Sequence, residues 1–197
     1  MLEIPTLETG RLLLRPFTLA DADHVKRLAG EFAIADTTQN IPHPYEDGMA
    51  EQWIARHRDE FNSGKGVTFA IAGRSDDQLL GAMSLMSIEN EHQAELGYWI
   101  GKPFWNRGFC TEAGTEILRY AFLGLKLIRV HVNHLSRNPA SGRVIRKLGF
   151  SHEGRRKQHV RKWGRFEDQE LYGLLKQDWQ TTANIASRRT RYFGGRR

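Results

Sequence analysis

Cysteine is almost absent: Cys110 stands alone among 197 residues. One thiol cannot close an internal disulfide, so the disulfide-stapled scaffolds are excluded and a reducing compartment fits. Long hydrophobic runs are missing too. No stretch of about 18 apolar residues offers a membrane-spanning helix, and the N-terminus lacks the basic, then apolar, then small-residue order of a secretion signal. A cytoplasmic protein without a membrane partner is expected. The chain has no Cys/His spacing of a metal site, no Ser/His/Asp arrangement and no internal repeat, so no metal is expected.

What is present suits one domain. Hydrophobic residues make up 40% and run throughout, enough for one sizeable core at this length. The net charge of +6 suggests nucleic acid until it is located: residues 181–197 contain five arginines and no acid, which leaves +1 for everything before them. That segment has no apolar periodicity and ends in Gly-Gly-Arg-Arg. It reads as a basic, disordered tail behind a domain spanning residues 1–180, and nucleic acid is not expected as a partner. The pattern leaves monomer and homodimer both open.

Leu12 to Leu14 read as a short strand, and Thr18-Leu-Ala-Asp21 has the spacing of a capping box, with Asp in place of Glu or Gln, opening a helix to about Leu28. Residues 36–45 read as a loop, and Glu46 to Phe61 carries helical spacing until Asn62-Ser-Gly64. Strands are expected over 67–73, 79–88, 93–100 and 127–132, and at the end over 152–160 and 169–175, joined around Trp163-Gly164. Between them, one helix begins just after Gly108, and a second starts at Asn138-Pro139, an N-cap followed by Pro at N1, and ends at Gly149. Strands outnumber helices and mostly follow one another directly, which predicts a mixed sheet with helices packed on it.

The stretch PFWNRGFCTEAG carries loop chemistry straight into a helix start. The first turn of a helix presents unpaired N–H groups at the positive end of its dipole, and Gly108 lets the main chain approach a pyrophosphate where a β-carbon would obstruct it. An ordinary strand-to-helix connection explains the same residues. The wider passage LGYWIGKPFWNRGFCTEA, followed by NPASGRVIRKLGF, resembles the GNAT superfamily of acetyl-CoA-dependent N-acetyltransferases. Within it, the chain is most similar to the branch that acetylates ribosomal-protein N-termini. TLETGRLLLRPFTLADAD and PHPYEDGMAEQWI extend the resemblance over roughly residues 6–179.

The resemblance implies an α/β fold of the α+β kind: a mostly antiparallel mixed sheet flanked by helices, with a parallel strand pair splayed at the acetyl-CoA site. It also implies a pyrophosphate loop of the form Gln/Arg-x-x-Gly-x-Gly/Ala. Here the frame is Trp105-Asn106-Arg107-Gly108-Phe109-Cys110, which departs at its first and last positions. Since the implied contacts are mainly backbone N–H groups, Asn106, Arg107, Gly108, Phe109, Cys110 and Thr111 are the expected pyrophosphate binders. Arg107 suits either phosphate or solvent. Cys110 sits where a thiol gains nucleophilicity, but direct transfer in a ternary complex is implied, so a packed side chain is the expected role.

Amide formation from a thioester needs a neutral amine, a donor for developing negative charge and a proton for the leaving thiolate. On QAELGYWI, alternation puts Ala94, Leu96, Tyr98 and Ile100 on one face and Gln93, Glu95, Gly97 and Trp99 on the other. Glu95 is the candidate general base, against the alternative of a solvated carboxylate; Gly97 beside it leaves space for a ligand or a bulge. By resemblance, backbone groups near Trp99 and Ile100 hold the pantetheine arm, and the Asn138 side chain touches it as well as capping its helix. Position 145 is Ile, which cannot serve as the tyrosine acid of many superfamily members. In the resembled branch the serine of Asn-x-x-Ser lies near the sulfur, which makes Ser141 a catalytic candidate against a merely polar helix start. Glu112 reads as structural, favoured by the helix dipole. His43, Tyr45 and Tyr172 are left without a role.

The expected activity is acetyl transfer from acetyl-CoA to a primary amine, foremost a protein N-terminal α-amino group. The alternatives are a small amine such as a polyamine, amino acid or antibiotic, a module that binds CoA without turnover, and a nucleic-acid binder working through the arginine tail.

Overall fold

The computed structural model describes residues 3–89 and 91–181. The segment 182–197, and with it nearly all of the basic tail, lies outside the described residues. Strands are β1 (Leu7–Glu8), β2 (Leu12–Arg15), β3 (Val67–Gly73), β4 (Leu79–Glu89), β5 (Gln93–Ile100), β6 (Arg129–Leu135), β7 (Ser151–Lys162) and β8 (Arg165–Leu175). Helices are α1 (Ala22–Ala29), α2 (Phe32–Thr37), α3 (Met49–Asn62), α4 (Phe109–Arg119) and α5 (Pro139–Lys147). One sheet of eight strands runs in the order β1-β2-β3-β4-β5-β6-β8-β7. Every neighbour is antiparallel except β5 and β6. This is the mixed, mostly antiparallel sheet with one parallel pair expected from the sequence.

The two faces of the sheet are sorted by residue alternation. Trp99, Ala70, Ala82 and Leu79 pack under α1 and α3, against Val25, Leu28 and Ile54. Ala94, Leu96 and Ile100 face the other way and meet Ile117, Leu118 and Ile145 of α4 and α5. Covered on both sides, the first six residues of VTFAIAG in β3 are buried without alternation, as a central strand should be.

Three elements differ from the sequence expectation. The two-residue β1 is too short to carry a pattern. The loop expected over 36–45 gives up its first residues to α2, whose six residues hold only Ile34 and Ala35 buried, too brief a period to detect. The strand expected over 127–132 runs instead from Arg129 to Leu135, because Leu127 is buried beside the end of α4 while β6 extends to bond β8 as far as Gln169. The capping residue Asp21 does reach back, its carboxylate accepting from the Thr18 N–H at 2.8 Å, and it holds Arg15 through two contacts of 2.9 Å.

Under α3 lies a histidine with no polar company. His57 is 5% exposed, its ring 4.4 Å from Trp53 and 5.4 Å from Phe17, and neither ring nitrogen has a partner among the described residues. Burial pushes its pKa down from 6.5 to about 4. The folded state therefore binds fewer protons than the unfolded one between those values, and stability falls as pH falls through that window. The loss amounts to roughly 3 kcal/mol at most, since each tenfold change in proton affinity is worth about 1.4 kcal/mol. Urea unfolding at pH 7 and pH 5 should show this decline in the wild type and a flatter profile in His57→Leu; equal slopes would assign the acid sensitivity elsewhere.

Candidate active site

The parallel ladder between β5 and β6 has three residue pairs, Gln93 with Arg129, Ala94 with Val130 and Glu95 with His131. Beyond Glu95 the strands part, while β5 stays paired with β4 to Ile100 and β6 stays paired with β8 to Leu135. A fork results, whose two inner edges have no ladder partner among the described residues. The Gly101 N–H bonds the Leu80 carbonyl, so alternation turns the peptide groups of Trp99 toward β4 and those of Tyr98 and Ile100 toward the fork. The Ile100 carbonyl is already taken by Trp105 Nε1 at 2.6 Å. The Trp99 ring lies in the α1–α3 core rather than in the fork.

Glu95 stands at the vertex. Its Oε1 accepts from Asn133 Nδ2 at 2.6 Å, and His131 Nε2 lies 3.9 Å from its Oε2. Asn133 Oδ1 accepts in turn from Gln169 Nε2 at 2.8 Å, and the same amide donates to Gln39 Oε1 at 3.2 Å. A chain of amides thus runs from the carboxylate to the loop between α2 and α3. Asn133, His131 and Gln169 escaped the sequence reading, although polar residues at alternate positions of RVHVNHL were a visible sign that one face of that strand is not plain core. The space expected at Gly97 is occupied: a β-carbon there would lie 2.6 Å from Met86 Cε. The glycine accommodates a methionine of the neighbouring strand, not a bulge.

On the opposite face of β5, the Tyr98 hydroxyl is 2.7 Å from Ser141 Oγ. Burial raises the Tyr98 phenol well above its ordinary pKa, so it stays protonated. Ser141 is presented by the first turn of α5, whose N-cap is Asn138: its Oδ1 accepts from the Ser141 N–H at 3.2 Å, and its Nδ2 donates to the Thr37 carbonyl at 3.1 Å. Both ends of that amide are therefore engaged within the protein. Tyr172 packs in the core against His134 and His152, on the face away from Glu95. His43 lies on the surface, bonded to the Gly30 carbonyl at 3.0 Å and packed on Phe32.

The loop ahead of α4 has a geometry suited to an anion. Gly108 is the N-cap at φ 80°, with no side chain to cap the helix, and Asn106 is also left-handed at φ 60°. The first-turn N–H groups have no intrahelical acceptors. Glu112 anchors the helix start instead: its carboxylate accepts from Thr9 Oγ1 at 2.6 Å and from the Arg11 N–H at 2.9 Å, and it pairs with the Arg11 guanidinium. Arg107 stacks its guanidinium 5.0 Å from the Phe109 ring centre. Cys110 points into the core, where burial pushes the thiol up to about 12, so it is no thiolate at neutral pH.

A pantetheine arm has amides that can complete a strand edge, and a diphosphate that can meet a bare helix end. A fork and a helix start together suit that ligand, which defines the class as acyl-CoA-dependent transferases. The chain belongs to the GNAT acetyltransferase family, whose model, described as Acetyltransferase (GNAT) domain, matches residues 11–151. It is 30% identical over 176 residues to the uncharacterized N-acetyltransferase p20 of Bacillus licheniformis, covering 88% of this chain and 98% of that one. It is 28% identical over 184 residues to the ribosomal protein uS5 alanine N-acetyltransferase of Escherichia coli (strain K12), covering 88% and 92%. A solved structure described as that of a "Probable acetyltransferase" superposes with a TM-score of 0.78 at 27% identity, over 88% of this chain and 98% of the other. The protein is an acetyl-CoA-dependent N-acetyltransferase.

A left-handed backbone at position 108 costs a residue with a β-carbon about 1–2 kcal/mol, and a β-branched one more. Gly108→Val should therefore lower acetyl-CoA affinity at least about tenfold by calorimetry, with circular dichroism unchanged. Unaltered affinity in a folded variant would remove the phosphate-loop assignment.

Proposed function

We propose that the protein acetylates the α-amino group of protein N-termini in the cytoplasm, by direct transfer within a ternary complex. The observation that carries the reading is a carboxylate, Glu95, at the vertex of the fork, with a hydroxyl pair, Tyr98 and Ser141, on the opposite face of the same strand. These groups match the two proton needs of amide formation. Backbone groups of residues 106–111 would hold the diphosphate, and Tyr98 and Ile100 the pantetheine arm. Acetyl-CoA supplies the acetyl group as a thioester. Glu95 takes a proton from the acceptor nitrogen as its bond to the carbonyl carbon forms. Ser141 donates to the departing sulfur, and Tyr98, kept protonated by its burial, donates to Ser141 Oγ.

The α-amine suits this chemistry because its unperturbed pKa near 8 leaves roughly 100-fold more neutral amine at cellular pH than a lysine at about 10.4. The E. coli relative's name, which specifies an alanine of a ribosomal protein, supports a protein N-terminus as acceptor. Acetyl-CoA consumption with a panel of free-N-terminus peptides, N-blocked lysine peptides and small amines tests the reading. Turnover confined to the free-N-terminus peptides is expected; faster turnover of polyamines or amino acids would replace it, and none with any acceptor would leave a CoA-binding module.

The two faces should fail differently. Glu95→Gln should lose about 10²- to 10⁴-fold in the acetyl-transfer rate near pH 7, with the loss shrinking as rising pH deprotonates the amine unaided. Ser141→Ala should lose activity by a factor that pH does not change. Tyr98→Phe should lose about tenfold alone and add nothing to Ser141→Ala, since it acts through that serine. Pre-steady-state pH–rate profiles decide this, and parallel profiles for Glu95→Gln and Ser141→Ala would refute the division of labour.

A further inference from the structure

The overall charge hides a division within the chain. Residues 1–136 hold thirteen Lys/Arg against eighteen Asp/Glu, whereas residues 137–165 hold ten Lys/Arg and a single acid, Glu153. The second segment folds as α5, the edge strand β7 and the turn into β8, so the cations gather at one end of the sheet. Some are used internally: Arg137 binds Asp36 and Glu167, Arg155 binds Glu170, and buried Lys162 donates to the carbonyls of Gln39 and Ile41. Arg143, Lys147, Lys157, Arg161 and Arg165 are exposed and have no ion pair among the described residues. Helix and hairpin are contiguous: Arg146 of α5 reaches the Tyr172 hydroxyl at 3.4 Å, and Tyr172 packs against His152 of β7.

Charge on an edge strand also guards against strand addition, and β7 has two further guards, register breaks at His152/Gly154 and Arg156/Val160. That purpose explains cations on β7. It does not explain those on α5, which lie off the edge, nor the aromatic among them. Phe166 is 65% exposed and is the cross-strand partner of Arg161. By the ladder register Phe166 shares a face with Arg161, while Arg165, next to it in sequence, is on the other; an exposed ring beside a guanidinium is poorly suited to water but well suited to a stacked base beside its phosphates.

We infer that the α5–β7–β8 end of the sheet is a docking surface for single-stranded RNA, with Lys157, Arg161 and Arg165 meeting phosphates and Phe166 stacking on a base. An acidic protein would satisfy the cations but could stack on the ring only where it carries an aromatic or arginine side chain, whereas every base has a π-face. None of the four residues assigned to RNA, which lie on the β7–β8 hairpin, belongs to the active site at Glu95, Tyr98, Ser141 and the loop at Gly108, and the inference does not depend on the acceptor assigned above.

Fluorescence anisotropy of a labelled, mixed-sequence RNA of about 20 nucleotides, titrated with the full-length protein over a range of salt, tests the surface. Binding should weaken linearly on a log–log plot, with a slope of about 0.7 per phosphate engaged. The triple variant Lys157→Gln, Arg161→Gln, Arg165→Gln should bind at least tenfold more weakly, with the slope reduced by about 2, while its acetyl-CoA affinity reports an intact fold. Phe166→Ala should weaken binding about fivefold or more with the slope unchanged, a signature of stacking. Glutamine at the five arginines beyond residue 181 should change affinity by less than about threefold, because no phosphate contact is assigned to them. Four outcomes overturn the inference: no binding at low salt, loss that follows the tail variant alone, displacement of RNA by saturating acetyl-CoA, or polyglutamate binding as tightly with Phe166→Ala indifferent.

Discussion

Three residue pairs of parallel ladder, ending at Glu95 and His131, govern how the molecule works. Had β5 and β6 continued to pair, the sheet would be closed and no ligand could reach peptide groups in its middle. The parting is stable because each strand keeps its other neighbour: β4 holds β5 as far as Ile100, and β8 holds β6 as far as Leu135. An opening inside a sheet thus exists without a free-standing strand, and the unpaired edges it leaves create a demand for amides that a cosubstrate can meet.

The same fork separates the chemistry by face. A strand sends alternate side chains to opposite sides, so Glu95 and Tyr98, three positions apart, lie on different faces of the sheet. Each is then tied to what comes later in the chain. Glu95 is held by Asn133, and through Gln169 it is connected to the loop at Gln39. Tyr98 meets Ser141, whose position depends on the Asn138 cap, and Asn138 also grips the end of α2 through the Thr37 carbonyl. The short helix α2, invisible in the pattern, turns out to be a fastening point: Asp36 receives Arg137 and the Trp163 indole, and so joins the α2 end to the β7–β8 hairpin.

Charge is distributed on a different logic from the core. Counting over the whole chain assigns the excess to the last residues, and that arithmetic is correct as a sum. It conceals the surplus of +9 in residues 137–165, which a net −5 over residues 1–136 and −3 over residues 166–180 bring down to +1. Whether a cation is neutralised depends on what stands beside it in space: Arg155 has Glu170, and Arg161 has Phe166.

The sequence by itself determined the elements whose signals are local. Strands 67–73 and 93–100 follow from their β-rich runs and flanking turns, the α5 start from Asn138-Pro139, and the α4 start from the loop chemistry that ends at Gly108. The alternation of QAELGYWI also separated Glu95 from Tyr98 correctly, because period two is a property of the strand alone. Only the tertiary structure decided which groups meet. Asn133 is 38 residues from Glu95 and Ser141 is 43 from Tyr98. Met86 fills the gap at Gly97 because β4 pairs in that register, and Cys110 packs partly buried against the core, which raises its thiol pKa although a helix start would make an exposed thiol reactive. Local pattern is written by a residue and its near neighbours; partners, burial and the point where a ladder stops are set by packing among segments that no short stretch contains.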